Sequence, residues 1–342
     1  MRDWKRWVPL ALVLVFGFFA LRGRMDQLQQ LGDTLRGGRL EWIALALFLQ
    51  TLTILNQPAL YQSLYEMLGL RISWRAMAPL VWAGHFVNVA TPSAGLGGTA
   101  LLLADGKRRG FPASRVALAN TLYFALNFAW FAILLAFGLW AIWSKGQLNR
   151  LEVAGATTLF STLLVVVLAL TFVTLAPHLL ERPLVALAGL VNRLARPIFK
   201  REVWPLESAR RAGSEVREAV QTLRSARGKL GRPLFHTFWV DALGILVLGA
   251  CVEAFPGGGP ISFPLLVAAY SIATLFMVVS VTPQGVGVVE PVLVATLVSF
   301  GASFGGATLV MVAYRGLSFW LPLLFGFLAS KSALSFRHET SS

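Results

Sequence analysis

The sequence predicts an all-α polytopic membrane protein, with about six full transmembrane helices plus two re-entrant broken-helix hairpins related as an inverted repeat. Three observations carry that prediction. The first is composition: the 342 residues are 56% hydrophobic and 13% charged, with a mean hydropathy of +0.67, and the apolar runs approach the ~20 residues that a membrane span needs. The second is a phrase that occurs twice, Thr91-Pro92-Ser93-Ala94-Gly95-Leu96-Gly97 and Thr282-Pro283-Gln284-Gly285-Val286-Gly287, each embedded in apolar sequence. A later glycine, Gly110 or Gly301, follows each proline at the same interval, so the copies are offset by 191 residues. The third is the distribution of charge, which fits one orientation of the chain in a bilayer.

Taken in order, the expected spans fall at about 7–22, 42–61, 116–142, 154–176, 234–255 and 307–330, with Gly/Pro-broken apolar regions at about 76–104 and 261–300. The first run follows Met1-Arg2-Asp3-Trp4-Lys5-Arg6, as in a signal peptide. No small-x-small cleavage site follows Phe18-Phe19-Ala20-Leu21-Arg22, so the reading is an uncleaved first span. With the N-terminus inside, the basic groups Arg71 and Arg75, then Lys107, Arg108, Arg109 and Arg115, fall on the cytoplasmic side if the first broken region enters and returns as a hairpin. Segment 177–233, Lys331 and Arg337 also fall inside, whereas the uncharged stretches 256–260 and 301–306 fall outside. Three complete spans separate the hairpins, so the two copies enter from opposite faces. If each broken region crossed instead, some basic loop would face outward.

The whole of 1–342 reads as one integral membrane domain. Within it, segment 177–233 holds 12 basic residues of a chain whose net charge is +14. This pattern fits a cytoplasmic segment over anionic lipid better than a nucleic-acid surface. Leu179, Leu180, Leu184, Leu187, Leu190, Val191 and Leu194 recur at helical spacing beside Arg193 and Arg196, an amphipathic pattern suited to the inner interface. A second polar helix is expected over about 205–228. A solvated connector and a gatherer of anionic lipid are both compatible with these residues, and the segment is too short for an enzymatic domain.

Interrupted backbone inside a bilayer is tolerated where it is buried in protein or lines a wet cavity, because each unsatisfied N–H or C=O costs several kcal/mol in hydrocarbon. Paired interruptions in two halves of a chain therefore point to a binding or transport site near the midplane. After Pro92 and Pro283 a new half-helix is expected, with free N–H groups and the positive end of a helix dipole. Glycines there let an anion such as phosphate approach the backbone. The candidate substrate-binding residues are Thr91, Pro92, Gly95, Gly97, Gly98, Pro283, Gly285 and Gly287, together with the ionisable residues at membrane depth, Asp241, Glu290 and Arg315. Each of those three also has a plain reading. Glu290 caps a helix, Arg315 pairs with a carboxylate between helices, and Asp241 sits hydrated near Arg232. Glu253 reads as an interface residue. His85, Asn88, Asn120 and Asn127 read as helix-to-helix hydrogen-bonding groups.

No enzymatic constellation emerges, and the protein is expected not to be an enzyme. There is no His-Glu-x-x-His, no Gly-x-x-x-x-Gly-Lys-(Ser/Thr) loop and no paired carboxylates for metal or glycosyl chemistry. Four scattered histidines and the single Cys251 make no metal cluster or disulfide framework, so neither metal nor cofactor is expected.

The C-terminal third, Thr282-Pro283-Gln284-Gly285-Val286-Gly287-Val288-Val289-Glu290, then Gly301, Ala313-Tyr314-Arg315, Phe319-Trp320-Leu321-Pro322 and Gly326, resembles the signature of the lysylphosphatidylglycerol synthase transmembrane family. That signature runs roughly Pro-Gly-Gly-x-Gly-x-x-Glu, a later Gly, and Tyr-Arg-x-x-(Ser/Thr)-Phe-Trp-x-Pro. Asp241-Ala242-Leu243 matches a recurring fragment of the upstream span, and the similarity extends over most of the chain. Two departures stand out: Gln284 replaces a glycine, and Gly98-Thr99-Ala100 stands where many members have Gly-Glu and a following Arg. The resemblance implies a two-hairpin lipid-translocation fold in the cell membrane, with both termini cytoplasmic and Glu290, Arg315 and Asp241 as functional positions. The soluble aminoacyl-transferase domain of two-domain members is missing, so lipid aminoacylation is not expected of this chain. The expected function is flippase-like movement of a phosphate-bearing lipid, with anionic membrane lipids, not nucleic acid, as partners. The alternatives are a secondary transporter of a small anionic solute and a non-transporting scaffold for a separately encoded lipid or cell-wall enzyme.

Overall fold

The computed structural model describes residues 37–90, 96–144, 225–280 and 282–335, with a few isolated positions between them. The expected spans at about 7–22 and 154–176, the first turn Thr91–Gly95, the amphipathic stretch of 177–233, the second polar helix up to its last few residues, and the two termini lie, isolated positions apart, outside the described residues. Every regular element among the described residues is a helix. Four helices are long and apolar enough to cross a membrane, Leu40–Met67, Ala113–Trp143, Gly231–Ala254 and the continuous run Phe304–Ser330, at the expected spans 42–61, 116–142, 234–255 and 307–330.

The elements fall into two sets of the same design. The first is α1 (Leu40–Met67), α2 (Trp74–Ala90), α3 (Leu96–Arg108) and α4 (Ala113–Trp143). The second is α5 (Gly231–Ala254), α6 (Phe263–Val279), α7 (Val289–Ser299) and a long helix made of α8 (Phe304–Arg315), a π turn (Gly316–Trp320) and α9 (Leu321–Ser335). In each set a long helix precedes a 17-residue arm, a break, and a shorter arm of 13 or 11 residues. At 1.5 Å per residue the shorter arms rise only about 20 and 17 Å, well short of the ~30 Å hydrocarbon core. Each short arm ends in a glycine with positive φ, Gly110 at 73° and Gly301 at 102°. An L-residue is disfavoured there, and the chain turns sharply into the next long helix.

Both broken regions fold back on themselves. In the first, Gly84 and Gly98 meet backbone to backbone, and Asn88 Oδ1 accepts from the Gly98 N–H at 2.6 Å. In the second, Phe276 and Val292 pack together with Ile272 and Phe300. The long helices α1 and α5 pack along their length in opposite directions. The Arg39 N–H at the start of α1 donates to the Ala254 carbonyl at the end of α5 (2.8 Å), and Arg232 near the start of α5 reaches Glu66 near the end of α1 (2.6 Å). Equivalent helices running antiparallel place the second set upside down relative to the first. The remaining contacts are exchanged reciprocally: α6 packs on α4, where Ser271 Oγ donates to the Leu134 carbonyl, and α2 packs on α9, where Trp82 meets Phe325 edge-on.

Each set has its own close-packed core. One centres on Leu60, Leu64, Leu68, Met77 and Val116, the other on Val247, Leu248, Leu293, Leu297 and Val310. In a bilayer such burial stabilises through packing and not through removal from water, because lipid tails are as apolar as leucine. The polar side chains left between the two cores are therefore the costly ones, and they mark the site.

Candidate functional site

The second break positions a cation. After α6 ends at Val279, Pro283–Gly285 lie in one tight turn, with the Gly285 N–H donating to the Thr282 carbonyl, and a further turn leads to α7 at Val289. The half-helix thus starts six residues past Pro283 and not directly after it, because Gln284, Gly285 and Gly287 all take positive φ (55°, 66° and 85°), which no helix accommodates. At Gly285 a side chain would also collide with the Met277 backbone, 2.8 Å from where a Cβ would stand. Gln284 is the only non-glycine residue with positive φ among those described, a conformation costing about 1–2 kcal/mol. It turns its carbonyl toward Arg315, whose Nη2 donates to it at 3.3 Å.

Glu290, in the first turn of α7, has two roles. Its Oε2 accepts from the Gly287 N–H at 2.7 Å, closing the exposed end of the half-helix, and its Oε1 faces Arg315 Nε at 3.1 Å. The side chains of Arg315 and Glu290 are only 8% and 13% exposed. Arg315 closes α8, directly before the π turn, and its guanidinium lies 4.8 Å from the centre of the Phe319 ring. A π turn inserts one residue into the helical register, and such turns recur at functional sites. Arg315, Ser318 and Pro322 share one cavity wall.

That cavity, about 450 Å³, is walled by elements of both repeats, with Gln50 and Gln57 of α1, His85 of α2, Tyr123 and Asn127 of α4, Asp241 of α5, Tyr270 of α6 and Arg315 among its polar groups. Asp241 is 6% exposed and accepts from Tyr270 Oη at 2.7 Å, so it lies in the interior and not hydrated beside Arg232, which pairs with Glu66 instead. Asp241 and Arg315 thus reach one cavity as parts of two hydrogen-bonded sets. A second cavity of about 600 Å³ adjoins the first through Gln57, His85, Tyr123 and Gln284 and reaches Asn88, Gly98, Thr99, Thr282 and Pro283. The exposed side chains of Phe124 and Val278 line both.

Of the residues expected from sequence, Asp241 and Arg315 line the first cavity, Gly98 and Pro283 line the second, and Glu290, Gly285 and Gly287 build the turn that holds Arg315. Gly97 lies in the first turn of α3, and Thr91, Pro92 and Gly95 lie outside the described residues. Glu253 pairs with Arg39 at 3.4 Å, both side chains exposed. Asn120 ties helices together, taking a bond from Tyr61 Oη and giving one to Thr99 Oγ1, whereas Asn127 bonds back to the Tyr123 carbonyl of its own helix. Sequence reasoning missed Gln50, Gln57 and Tyr270. Their only signal was a polar atom within an otherwise apolar span, which does not say which face meets a cavity.

Against known families, residues 6–326 match the family model described as the lysylphosphatidylglycerol synthase TM region. Among curated proteins, the UPF0104 membrane protein PH1989 of Pyrococcus horikoshii is 26% identical over 334 residues, covering 93% of each chain.

Proposed function

The chain belongs to the lysylphosphatidylglycerol synthase transmembrane family, and from that premise we propose that it moves a phosphate-bearing lipid between the leaflets of a membrane. One observation carries this reading. A buried guanidinium, Arg315, faces a cavity at the junction of two inverted repeats, held there by a half-helix that sits in neither of the long spans. Cations at membrane depth are costly and cluster on substrate paths, and inverted repeats around a midplane site are the usual framework of alternating access. Phosphate suits the planar donor fork of Arg315. Phe124 and Val278 favour a lipid over a dissolved anion, because these apolar side chains line both cavities and are 37% exposed, offering acyl chains a place beside α4 and α6. In this reading both termini and segment 177–233 are cytoplasmic, the lipid is moved without being chemically altered, and anionic membrane lipids are the partners.

The test is leaflet exchange of tail-labelled fluorescent phospholipids in vesicles carrying the purified protein, followed by dithionite quenching. The expected result is faster loss of inner-leaflet protection than in protein-free vesicles. Equal rates with every phosphate-bearing lipid tried would refute the proposal.

A further inference from the structure

Among the described residues, Asp241 and Arg315 are the two charged groups in the wall of the cavity of about 450 Å³. Their situations differ. Arg315 stands 3.1 Å from Glu290, so its charge is balanced within the protein. Asp241 is buried and forms no ion pair among the described residues. One neutral donor, Tyr270 Oη, reaches its Oδ1 at 2.7 Å, and Oδ2 takes no hydrogen bond there.

The neighbouring elements bring no second carboxylate and no further cation to Asp241. From α6 comes Tyr270, from α8 come Tyr314 and Arg315, and from α4 comes Tyr123, with the three phenols within electrostatic reach of the carboxylate. Phenols ionise only well above neutral pH, so these are neutral donors. The side chains of α1 in this wall include the amides Gln50 and Gln57, and α2 contributes His85. On α5 itself His236 is tied to Asn56 and Cys251 is buried, while Lys229 and Arg232 lie at least ~13 Å away along the helix axis, Arg232 being held by Glu66. Across the 191-residue offset Asp241 corresponds to Gln50, which is buried in the same wall. The first repeat thus fills this position with an amide, the permanently uncharged counterpart of a protonated carboxyl.

We propose that Asp241 takes up a proton when an anion enters the cavity, so that headgroup and proton cross the membrane together. The transport half of this inference rests on the translocation reading. With Asp241 ionised the wall carries one uncompensated negative charge, and a phosphate brings another into the same low-dielectric space. A proton from water, placed on Oδ2, removes the first of the two. A phosphodiester monoanion and that proton then cross as an electroneutral pair, and departure of the anion on the far side returns the proton to water there. Carboxylates at membrane depth often serve as proton sites in this way. Tyr270 is the positioning residue, holding the carboxyl by Oδ1 and leaving Oδ2 for the proton.

Calorimetric titration of the purified full chain in detergent with short-chain phosphatidylglycerol, repeated in buffers of different ionisation enthalpy, counts the protons exchanged on binding. A phosphodiester does not titrate near neutral pH, so each proton counted belongs to the protein. About one proton is expected to be taken up per lipid bound at alkaline pH, with affinity falling up to roughly tenfold for each unit that pH rises. Asp241→Asn, which mimics the protonated carboxyl, should bind with no proton uptake and little dependence on pH. Asp241→Gln, which installs the residue of the other repeat, is the second variant if the first does not fold. No binding, binding without proton uptake, or uptake that survives in the folded variants overturns the inference, and loss of uptake in His85→Gln instead would move the proton to the imidazole. In vesicles, a pH difference should drive tail-labelled phosphatidylglycerol toward the leaflet facing the more alkaline side, read by dithionite quenching at steady state. Leaflet exchange with no such bias overturns the coupling and leaves translocation intact, whereas proton uptake without any exchange overturns translocation and leaves the linked binding intact.

Discussion

At the scale of single residues, the turn before α7 shows how local strain is spent on position. Gln284 in the left-handed region, together with Gly285 and Gly287, directs a backbone carbonyl and a capped helix end at Arg315. Gly285 and Gly301 separate two effects. At Gly285, which has positive φ, a Cβ would stand 2.5 Å from the Val289 side chain and 2.8 Å from the Met277 backbone, whereas Gly301 has positive φ in open space. Gly285→Ala is expected to destabilise by about 3 kcal/mol, strain and overpacking combined. Gly301→Ala should cost only about 1 kcal/mol, from backbone conformation alone. Chemical unfolding in detergent micelles measures both, and equal losses would show that close packing at Gly285 contributes nothing. The glycines, Glu290 and Arg315 were legible in the sequence because a charge or a helix breaker inside an apolar run is costly wherever it lies. Tyr270 was not, since a tyrosine within Phe263–Val279 reads as one more apolar ring until its hydroxyl is seen 2.7 Å from Asp241.

At the scale of elements, the second hairpin is fastened to the last long helix by the Arg315–Glu290 pair, and the first to α4 by Asn120 and Thr99. Removing one partner of a buried ion pair leaves the other uncompensated, so Arg315→Met or Glu290→Gln alone is expected to cost about 3–5 kcal/mol of stability. Combining Arg315→Met with Glu290→Gln should recover much of that loss while transport stays absent, because the phosphate would then lack its cation. Thermal unfolding and leaflet exchange on the two singles and the double give the answer, and recovery of both stability and exchange would reduce Arg315 to a structural strut. Element boundaries were well marked in the sequence: Gly110 and Gly301 end the short arms, and the long helices begin within three residues of the expected spans. The π turn Gly316–Trp320 was hidden, since a one-residue change of register alters which face packs and not how apolar the run is.

At the scale of the whole molecule, the 191-residue offset read from two short phrases is the offset between α1 and α5 and between α4 and α8. Duplication was visible because it repeats residues that break helices. The exchange of partners between repeats was not, because uniformly apolar spans carry no code for which neighbour they meet. Orientation in the membrane follows from basic residues in the reading proposed above and is checked by labelling in intact cells, in a Cys251→Ala background. A cysteine at Gly305, where nothing crowds a side chain, should react with an impermeant maleimide, whereas one at Gly231 should react only after permeabilisation, and the reverse pattern would invert the topology. The central claim is that phosphate-bearing lipid crosses the membrane by way of Arg315. It is tested most directly by the leaflet-exchange rate of Arg315→Ala against the unsubstituted protein, in vesicles matched for the amount of folded, inserted chain. The account predicts a fall to the rate of protein-free vesicles, and an undiminished rate would contradict it.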